Sequence, residues 1–245
     1  MSSIAIIVPF REQIGQTRKE ELDEFLPYMK TYLQNEKDFE EIKKFHIYVI
    51  KQKGTYEDDK KKFNRGLLLN IGTLLVNSEY DTFIFHDVDL IPGESLSEYY
   101  TFCPDKPIHI AGCWNRYNKN KNYFGGIVSF NRKCFNIVNG FPNNFWGWGG
   151  EDDALLNRLI INKIRPYKVD DGGILDIENG IGYELDEKLQ VLRKNREWKC
   201  MDKWEKIEED KTNWKENGLR QSYNRYKLLS FETVDDHTFI EVDIY

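Results

Sequence analysis

Two acidic motifs in this sequence could do chemistry. The first is Asp87-Val88-Asp89, which directly follows TFIFH at 82–86, an apolar run that predicts a buried strand. Asp87 and Asp89 are two positions apart, so they project to one side of an extended segment. Paired carboxylates suit a divalent cation such as Mn²⁺ or Mg²⁺, which can neutralise a nucleotide diphosphate. The alternative is a turn whose acids bind local backbone. His86 is interpreted as structural.

The second motif, NGFPNNFWGWGGEDD at 139–153, combines tryptophan rings, glycines and three consecutive acids. Sugar faces stack on flat apolar rings, and glycines let a ligand approach the backbone. Adjacent acids repel one another, which raises the pKa of at least one and suits it to general-base catalysis. Core packing of Trp146 and helix capping by Asp153 are the structural alternatives. Together the two motifs indicate sugar transfer from a nucleotide sugar.

Apolar strands alternating with helices must position these motifs. Strands are predicted at 4–9, 46–51, 82–86, 108–112 and 126–130. Helices are predicted at 18–36, 63–77, 150–163 and 200–216, the first with Leu22, Phe25, Met29 and Leu33 on its buried face and a possible kink at Pro27. The order predicts an α/β fold with a mainly parallel sheet, in which ligands bind at the carboxyl ends of strands.

Two further segments complete the predicted single domain. The tail at 226–245 alternates around Asp235–Asp236 and predicts a terminal β-hairpin. The segment 171–200 carries glycines followed by a charged run, and we interpret it as a long mobile loop that orders on donor binding.

Composition excludes several classes of function. The chain has 245 residues, is 40% hydrophobic and has a formal net charge of −6, which argues against nonspecific nucleic-acid binding. No apolar run approaches the roughly 20 residues of a membrane span, and the N-terminus lacks a basic leader. The four cysteines show no metal-type spacing. We therefore expect a cytoplasmic or other reducing compartment; oligomeric state is left open.

Five stretches resemble the β-1,4-galactosyltransferase family, in the order and spacing of that family. They are VPFRE at 8–12, FNRGLLLNIG at 63–72, FHDVDLIP at 85–92, YFGGIVSF at 123–130 and the segment 139–153. The resemblance implies a GT-A fold, with a Rossmann-like sheet, and a metal-dependent, inverting reaction. It also implies a nucleotide-sugar and metal half at 1–112, an acceptor half at 113–200, and a C-terminal helix and hairpin at 201–245.

The implied activity is transfer of a sugar, galactose first, from a UDP-sugar to a hydroxyl of a saccharide acceptor, with Mn²⁺ or alternatively Mg²⁺. An N-acetylgalactosaminyl- or glucosyltransferase of the same fold, or a catalytically impaired sugar- or nucleotide-binding protein, are the alternatives. A metal-dependent phosphatase or nucleotidyltransferase ranks below these.

The resemblance also implies residue roles. The UDP-sugar would contact Pro9, Phe10, Arg11, Phe63, Arg65, Asp87, Val88, Tyr123, Gly126 and Trp148. The acceptor would contact Trp148, Gly149, Gly150 and Asp153. Residues 114–122, WNRYNKNKN, and the segment 171–200 would shape the rest of its pocket, and both diverge from the family. Asp152 would be the catalytic base with Glu151 beside it, and Asp89 and Glu178 would bind the metal.

Three positions depart from the family pattern. Gln13 stands where the family has a second arginine, which would weaken one contact to the nucleotide. Glu178 stands where the family has a metal-binding histidine, and it is either a hard oxygen ligand or a solvated loop acid. Thr82 replaces the cysteine that would pair with Cys103, which agrees with a reducing compartment.

Overall fold

A mixed sheet of eight strands forms the centre of the protein. The computed structural model describes residues 2–34, 42–76, 78–117, 119–180 and 182–245. The strands are β1 (Ser2–Phe10), β2 (Ile42–Gln52), β3 (Thr82–His86), β4 (Leu90–Pro92), β5 (Ile108–His109), β6 (Ile127–Asn131), β7 (Tyr167–Lys168), β8 (Ile174–Asp176), β9 (Tyr226–Val234) and β10 (His237–Ile244). The α-helices are α1 (Arg18–Gln34), α2 (Tyr56–Asp59), α3 (Arg65–Leu75), α4 (Arg132–Ile137), α5 (Glu151–Ile161), α6 (Leu185–Lys194) and α7 (Lys203–Asn213).

The strand order is β7-β5-β6-β3-β1-β2-β10-β9, with β4 and β8 forming a separate pair. The four central strands are parallel, whereas β6 runs antiparallel to both β3 and β5. The predicted α/β fold with a mainly parallel centre is therefore confirmed. The hairpin is confirmed as well: β9 and β10 pair antiparallel on either side of Asp235–Asp236.

Helices cover both faces of this sheet. Alternate residues of β1 point to opposite sides, as strand geometry requires. Ile4, Ile6 and Val8 pack in the cluster that contains α1, and Ala5 and Ile7 pack in the cluster that contains α3 and α5. All four residues predicted for the buried face of α1 are buried, and the helix continues through Pro27. The predicted helix ends at 35–36 and 77 lie outside the described residues.

The segment 171–200 is not one long loop, and that part of the prediction is wrong. This segment contains β8, a 3₁₀ turn at Glu178–Gly180 and the ten-residue helix α6. A capping box between Glu184 and Glu187 begins α6, and Leu192 anchors it in the interior. The glycines precede the helix and do not interrupt it. Movement of the segment on donor binding stays a prediction.

Two further sequence expectations concern membranes and thiols. No helix in the described ranges is long and apolar enough to cross a membrane. Cys103, Cys113, Cys134 and Cys200 are all free thiols. The compartment in which the protein works stays a prediction.

A buried ion pair fixes α5 against α7. Arg158 Nε donates to Asp210 Oδ2 at 2.8 Å, and the two side chains are 0% and 2% exposed. Arg158 Nη1 donates to the carbonyls of Asn139 and Gly140 at 3.1 and 2.8 Å. One guanidinium therefore joins two helices to the start of the segment 139–153.

We expect Arg158→Met to lower the free energy of unfolding by about 3–5 kcal/mol, because Asp210 would be left charged and unpaired in the interior. Urea denaturation measures this. Lys211→Met on the same helix, which removes an exposed pair with Glu208, is the matched control and should change stability by less than about 0.5 kcal/mol. Equal effects of the two substitutions would contradict the assignment.

Candidate functional site

The parallel pairing of β1 with β3 brings the stretch VPFRE, at 8–12, close to the Asp87-Val88-Asp89 motif. Ile7 of β1 is in register with Phe85 of β3, so the chain leaves both strands at the same edge of the sheet. The antiparallel strand β6 begins at that edge, and the Asp87 N–H donates to the Gly126 carbonyl at 3.1 Å. The segments 9–11 and 87–89 and Gly126 are thus neighbours.

The helix α3 places Arg65 at this edge. Asn64 caps the helix by accepting a hydrogen bond from the Leu67 N–H at 3.0 Å. A Cβ on Gly66 would lie 2.7 Å from the Pro142 carbonyl oxygen, so only glycine lets the first turn pack against the segment 139–153. Arg65, the first residue of α3, therefore faces the acids that begin α5.

Backbone bonds hold Trp148 in place. Its N–H donates to the Trp198 carbonyl at 2.6 Å, and the Cys200 N–H donates to the Trp148 carbonyl at 3.1 Å. Gly147, with φ of 93°, allows this contact, since a Cβ there would lie 2.5 Å from the Lys199 carbonyl carbon. The segment 139–153 and the connection between α6 and α7 form one wall.

These elements enclose a cleft of about 290 Å³. Every predicted site residue lines it: Pro9, Phe10, Arg11, Phe63, Arg65, Asp87, Val88, Asp89, Tyr123, Gly126, Trp148, Gly149, Gly150, Glu151, Asp152, Asp153 and Glu178. The two segments expected to shape the acceptor pocket, 114–122 and 171–200, line the cleft as well, through Trp114, Arg116, Tyr117, Asn120, Lys188, Leu192 and Trp198. The sequence analysis missed Gln16, Arg18, Lys203 and Trp204.

One guanidinium joins the two acidic motifs. Arg65 Nε lies 2.6 Å from Asp87 Oδ1, and its Nη1 lies 2.9 Å from Asp152 Oδ1 and 3.6 Å from Glu151 Oε1. Acids that follow β3 and acids that begin α5 therefore share one positive charge. The shared ion pair shows that both motifs belong to a single site.

The acids of this cluster bind protons more tightly than usual. Burial raises the pKa of Asp152 well above its ordinary value; Arg65 opposes the shift, and the charges of Glu151, Asp87 and Asp153 add to it. Burial likewise raises the pKa of Asp87 and of Glu151, again opposed by Arg65. A carboxylate with a raised pKa accepts a proton more readily, as a general base must.

Two buried polar atoms in the cluster have no hydrogen-bond partner among the described residues. They are Nη2 of Arg65 and Oε2 of Glu151. An unpaired buried polar atom costs about 1–3 kcal/mol, so such atoms usually have a partner that the protein itself does not supply. One donor and one acceptor at the cleft wall match the hydroxyl groups of a sugar.

Asp89 faces a different cation. Its Oδ2 lies 2.8 Å from Nη1 of Arg18, and this pairing lowers the pKa of Asp89 against the opposing effect of burial. Arg18 also lies 2.9 Å from Glu21 Oε2 and 3.6 Å from Glu178 Oε1. The two predicted metal ligands therefore flank one guanidinium, which holds the position between them.

The Asp89 carboxylate is a hard ligand of the kind that suits a divalent cation, but its Oδ2 is paired with Arg18 in this arrangement. Glu178 is paired more fully. Both oxygens of Glu178 contact cations: Oε2 lies 2.7 Å from Arg116 Nη1, and Oε1 contacts Lys188 Nζ. Among the described residues, no set of three or more His, Cys, Asp or Glu side chains is placed to hold a metal ion. The solvated-loop alternative for Glu178 is excluded, because the residue is buried. Its role as a metal ligand stays a prediction.

Arg11 uses its guanidinium within the protein. Nε donates to the Gly54 carbonyl at 3.0 Å, and Nη2 donates to the Thr55 carbonyl and to Asp59 Oδ1, both at 2.9 Å. The side chain thereby fixes the loop after β2. Direct binding of a nucleotide by this guanidinium stays a prediction that the observed contacts do not favour.

His86 is structural, as predicted. Burial lowers its pKa to about 4, so the ring is neutral near neutral pH. One ring nitrogen bonds the Asp87 carbonyl at 2.8 Å and the other bonds the Tyr100 hydroxyl at 2.9 Å. These bonds leave no ring nitrogen for a metal, and they hold the turn that carries the acids.

Aromatic rings line the cleft beside Asp152. Tyr123 stacks on Tyr117, with ring centroids 4.2 Å apart and planes 18° apart. A Cβ on Gly126 would lie 2.9 Å from the Tyr123 hydroxyl, and a Cβ on Gly125 would lie 2.4 Å from Asp152 Oδ2. The two glycines leave room for the Tyr123 hydroxyl and for the carboxylate, and Gly125 was not singled out from the sequence.

Comparison with known proteins identifies this architecture. The model of the N-terminal region of glycosyl transferase group 7 matches residues 1–104, and that of the N-terminal domain of galactosyltransferase matches residues 106–179. The β-1,4-galactosyltransferase 4 of Cricetulus griseus is 34% identical over 99% of this chain and 63% of its own length. That of Rattus norvegicus is 35% identical over 100% of this chain and 64% of its own length. The chain thus spans less than two thirds of these relatives.

Two solved structures of Drosophila β-1,4-galactosyltransferase 7 agree over the whole fold. A mutant in complex with manganese, UDP-Gal and xylobiose has a TM-score of 0.76 and 27% identity, covering 100% of this chain and 95% of that one. The catalytic domain in complex with xylobiose has a TM-score of 0.75 and 28% identity, with the same coverage. The fold is therefore that of the GT-A glycosyltransferases. This chain belongs to the β-1,4-galactosyltransferase family.

We expect Arg65→Met to make stability depend more strongly on pH. Without the guanidinium, the pKa values of Asp87, Glu151 and Asp152 rise further above their unfolded values. Stability is then greatest at low pH, where these acids are protonated, and is lost as pH rises through their raised pKa values. Urea denaturation at pH 5 and pH 8 should show a variant weaker than the native chain by about 3 kcal/mol at pH 8 and by less at pH 5.

Arg193→Met, which removes an exposed arginine from the last turn of α6, is the control and should show no such trend. A uniform loss at both pH values for Arg65→Met would indicate lost packing rather than unpaired acids.

Proposed function

We propose that the protein transfers galactose from UDP-galactose to a hydroxyl of an acceptor saccharide, with inversion and with Mn²⁺ as cofactor. The observation that carries the proposal is the ion-pair cluster in which Arg65 joins Asp87, 2.6 Å away, to Asp152, 2.9 Å away. The cluster brings Asp87, expected beside the diphosphate of the donor, and Asp152, the candidate base, into one cleft. The manganese, UDP-Gal and xylobiose in the Drosophila structure support this choice of substrates.

In the proposed reaction, Asp152 removes the proton from the acceptor hydroxyl, whose oxygen attacks the anomeric carbon of the donor while the bond from that carbon to the diphosphate oxygen breaks and UDP leaves. The raised pKa of Asp152 suits it to this step. The unpaired atoms Arg65 Nη2 and Glu151 Oε2 would bind sugar hydroxyls and so orient the reacting centres. Trp148, held at both of its backbone groups, would support the acceptor.

The donor would lie along the carboxyl ends of β1 and β3, between Phe10, Phe63 and the acids after β3. Asp89 is the residue whose chemistry fits the metal, and a divalent cation bound there would neutralise charge on the departing diphosphate. Tyr123, beside Gly126, would crowd a 2-acetamido group and so favour galactose over N-acetylgalactosamine. The compartment would be a reducing one, in keeping with four free thiols.

A donor screen tests the proposal. UDP-galactose, UDP-glucose and UDP-N-acetylgalactosamine are each assayed with Mn²⁺ and with N-acetylglucosamine, glucose or xylose as acceptor. We expect transfer from UDP-galactose in preference to the others and loss of transfer on adding a chelator. UDP binding that ignores manganese, without transfer from any donor, would instead indicate a binding protein. Release of free phosphate would indicate a phosphatase.

We expect Asp152→Asn to lower kcat by about 10²–10⁴-fold, the usual contribution of a general base, while calorimetry still detects UDP binding. Asp23→Asn on the exposed face of α1 removes a similar carboxylate outside the cleft and is the control. Full activity in Asp152→Asn would exclude Asp152 as the general base.

A second variant tests whether the position of the Asp152 carboxylate matters, because it keeps the carboxylate itself. Gly125→Ala keeps Asp152 but would place a methyl group against its Oδ2, so turnover should also fall. Gly173→Ala, where a Cβ meets nothing within 4 Å, is the matched control.

A further inference from the structure

The two edges of the eight-stranded sheet differ in length. One edge is β7, which has two residues, and the other is β9, which has nine and pairs only with β10 among the described strands. The N–H and C=O groups on the outer side of an edge strand can pair with a further strand, so proteins usually keep such edges short or interrupt them, for example with proline. β9 contains no proline. Its outer side is therefore open to another strand.

Apolar side chains on β9 face the solvent. Leu228, Leu229, Phe231 and Val234 are all between 40% and 51% exposed. Single apolar residues at a surface are ordinary, but four of them on one short strand form a contiguous patch of the kind that marks an interaction site. None of the four lines the cleft, so the substrates of the proposed reaction do not cover them.

A β-bulge decides which side chains of β9 share a face of the sheet. Ser230 is in register with Glu241 and Leu228 with Val242, so Leu229 is an extra residue in β9. Beyond this bulge the alternation of side chains is shifted by one residue. Side chains that are three or five positions apart across the bulge therefore lie on the same face, whereas in a regular strand they would lie on opposite faces.

The resulting pattern is self-complementary about Ser230. Leu228 and Phe231 lie on one face of the sheet, and Lys227 and Glu232 lie on the other. When the bulge is counted as one step, the members of each pair are equally far from Ser230 along the strand. Neither the Lys227 ammonium nor the Glu232 carboxylate has a hydrogen-bond or ion-pair partner among the described residues. A strand with the same pattern, running in the opposite direction, would supply both partners.

We propose that β9 is an interface to a second copy of this chain, whose own β9 adds antiparallel about a two-fold axis at Ser230. Leu228 of each copy then lies opposite Phe231 of the other, and Lys227 of each lies opposite Glu232 of the other. Because a two-fold interface repeats every contact, it contains two apolar pairs on one face and two ion pairs on the other. The two sheets become one continuous sheet.

This interface leaves the cleft of each copy open. The strands β10 and β2 separate β9 from β1, whose carboxyl end lines the cleft, and no residue of β9 lines it. Pairing along one strand buries less surface than a permanent dimer needs, so the dimer should depend on protein concentration. The inference does not rest on the proposed reaction, and its test needs no substrate.

Charge reversal at the two ends of the pattern tests the interface. Sedimentation equilibrium over a range of protein concentrations measures the dimer. We expect the native chain to dimerise, and Lys227→Glu and Glu232→Lys each to weaken the dimer at least about tenfold, because both ion pairs become repulsive contacts. An equimolar mixture of the two variants should dimerise again, since opposite charges then face each other in both pairs.

Matched controls are Lys133→Glu on α4 and Glu209→Lys on α7, which make the same changes of charge at exposed positions outside β9 and should keep the native dimer. Recovery in the mixture would also exclude misfolding as the cause of the loss in the single variants. A native chain that stays monomeric at every concentration would overturn the interface. So would a dimer that persists in both single variants, since the copies would then meet elsewhere, or a mixture that stays monomeric.

Discussion

The cleft depends on the position of one positive charge, that of Arg65. Asp87, Glu151 and Asp152 all have raised pKa values in a site of low solvent access, and they reach the cleft from two different elements. Without a cation between them, the carboxyl end of β3 and the start of α5 would repel each other. The guanidinium draws both together and still leaves Nη2 without a partner among the described residues. The side chain that forms the structural ion pairs is thus also the one that the proposed reaction uses to bind a sugar hydroxyl.

A second set of charges holds the other half of the cleft. Arg18 contacts Asp89, Glu21 and Glu178, while Arg116 and Lys188 also contact Glu178. These pairs connect the start of α1, the turn before Tyr117 and the helix α6. The resemblance to the family aligns Glu178 with a histidine. In this chain Glu178 has three basic neighbours, and these contacts hold the segments together. Preformed pairing of this kind reduces the reorganisation that a donor must drive.

Much of the fold and site could be predicted because the signals are local. The spacing of Leu22, Phe25, Met29 and Leu33 defines a helix face without reference to the rest of the chain. The acids at 87–89 follow an apolar strand, and parallel topology then fixes their edge. Arg18 pairs with a residue 71 positions away, and no periodicity indicates such a partner. Likewise α6 was missed because its few apolar residues, such as Leu192, gain their meaning from distant contacts.

The backbone bonds on both sides of Trp148 have an evolutionary consequence. Because Trp198 and Cys200 form hydrogen bonds with Trp148 through main-chain atoms, these bonds do not depend on which side chains occupy positions 198 and 200. Changes in the length or sequence of α6 would move the indole as a unit while leaving β1 and β3 untouched. Sequence changes could therefore reshape this wall of the cleft while the strands β1 and β3 stay unaltered.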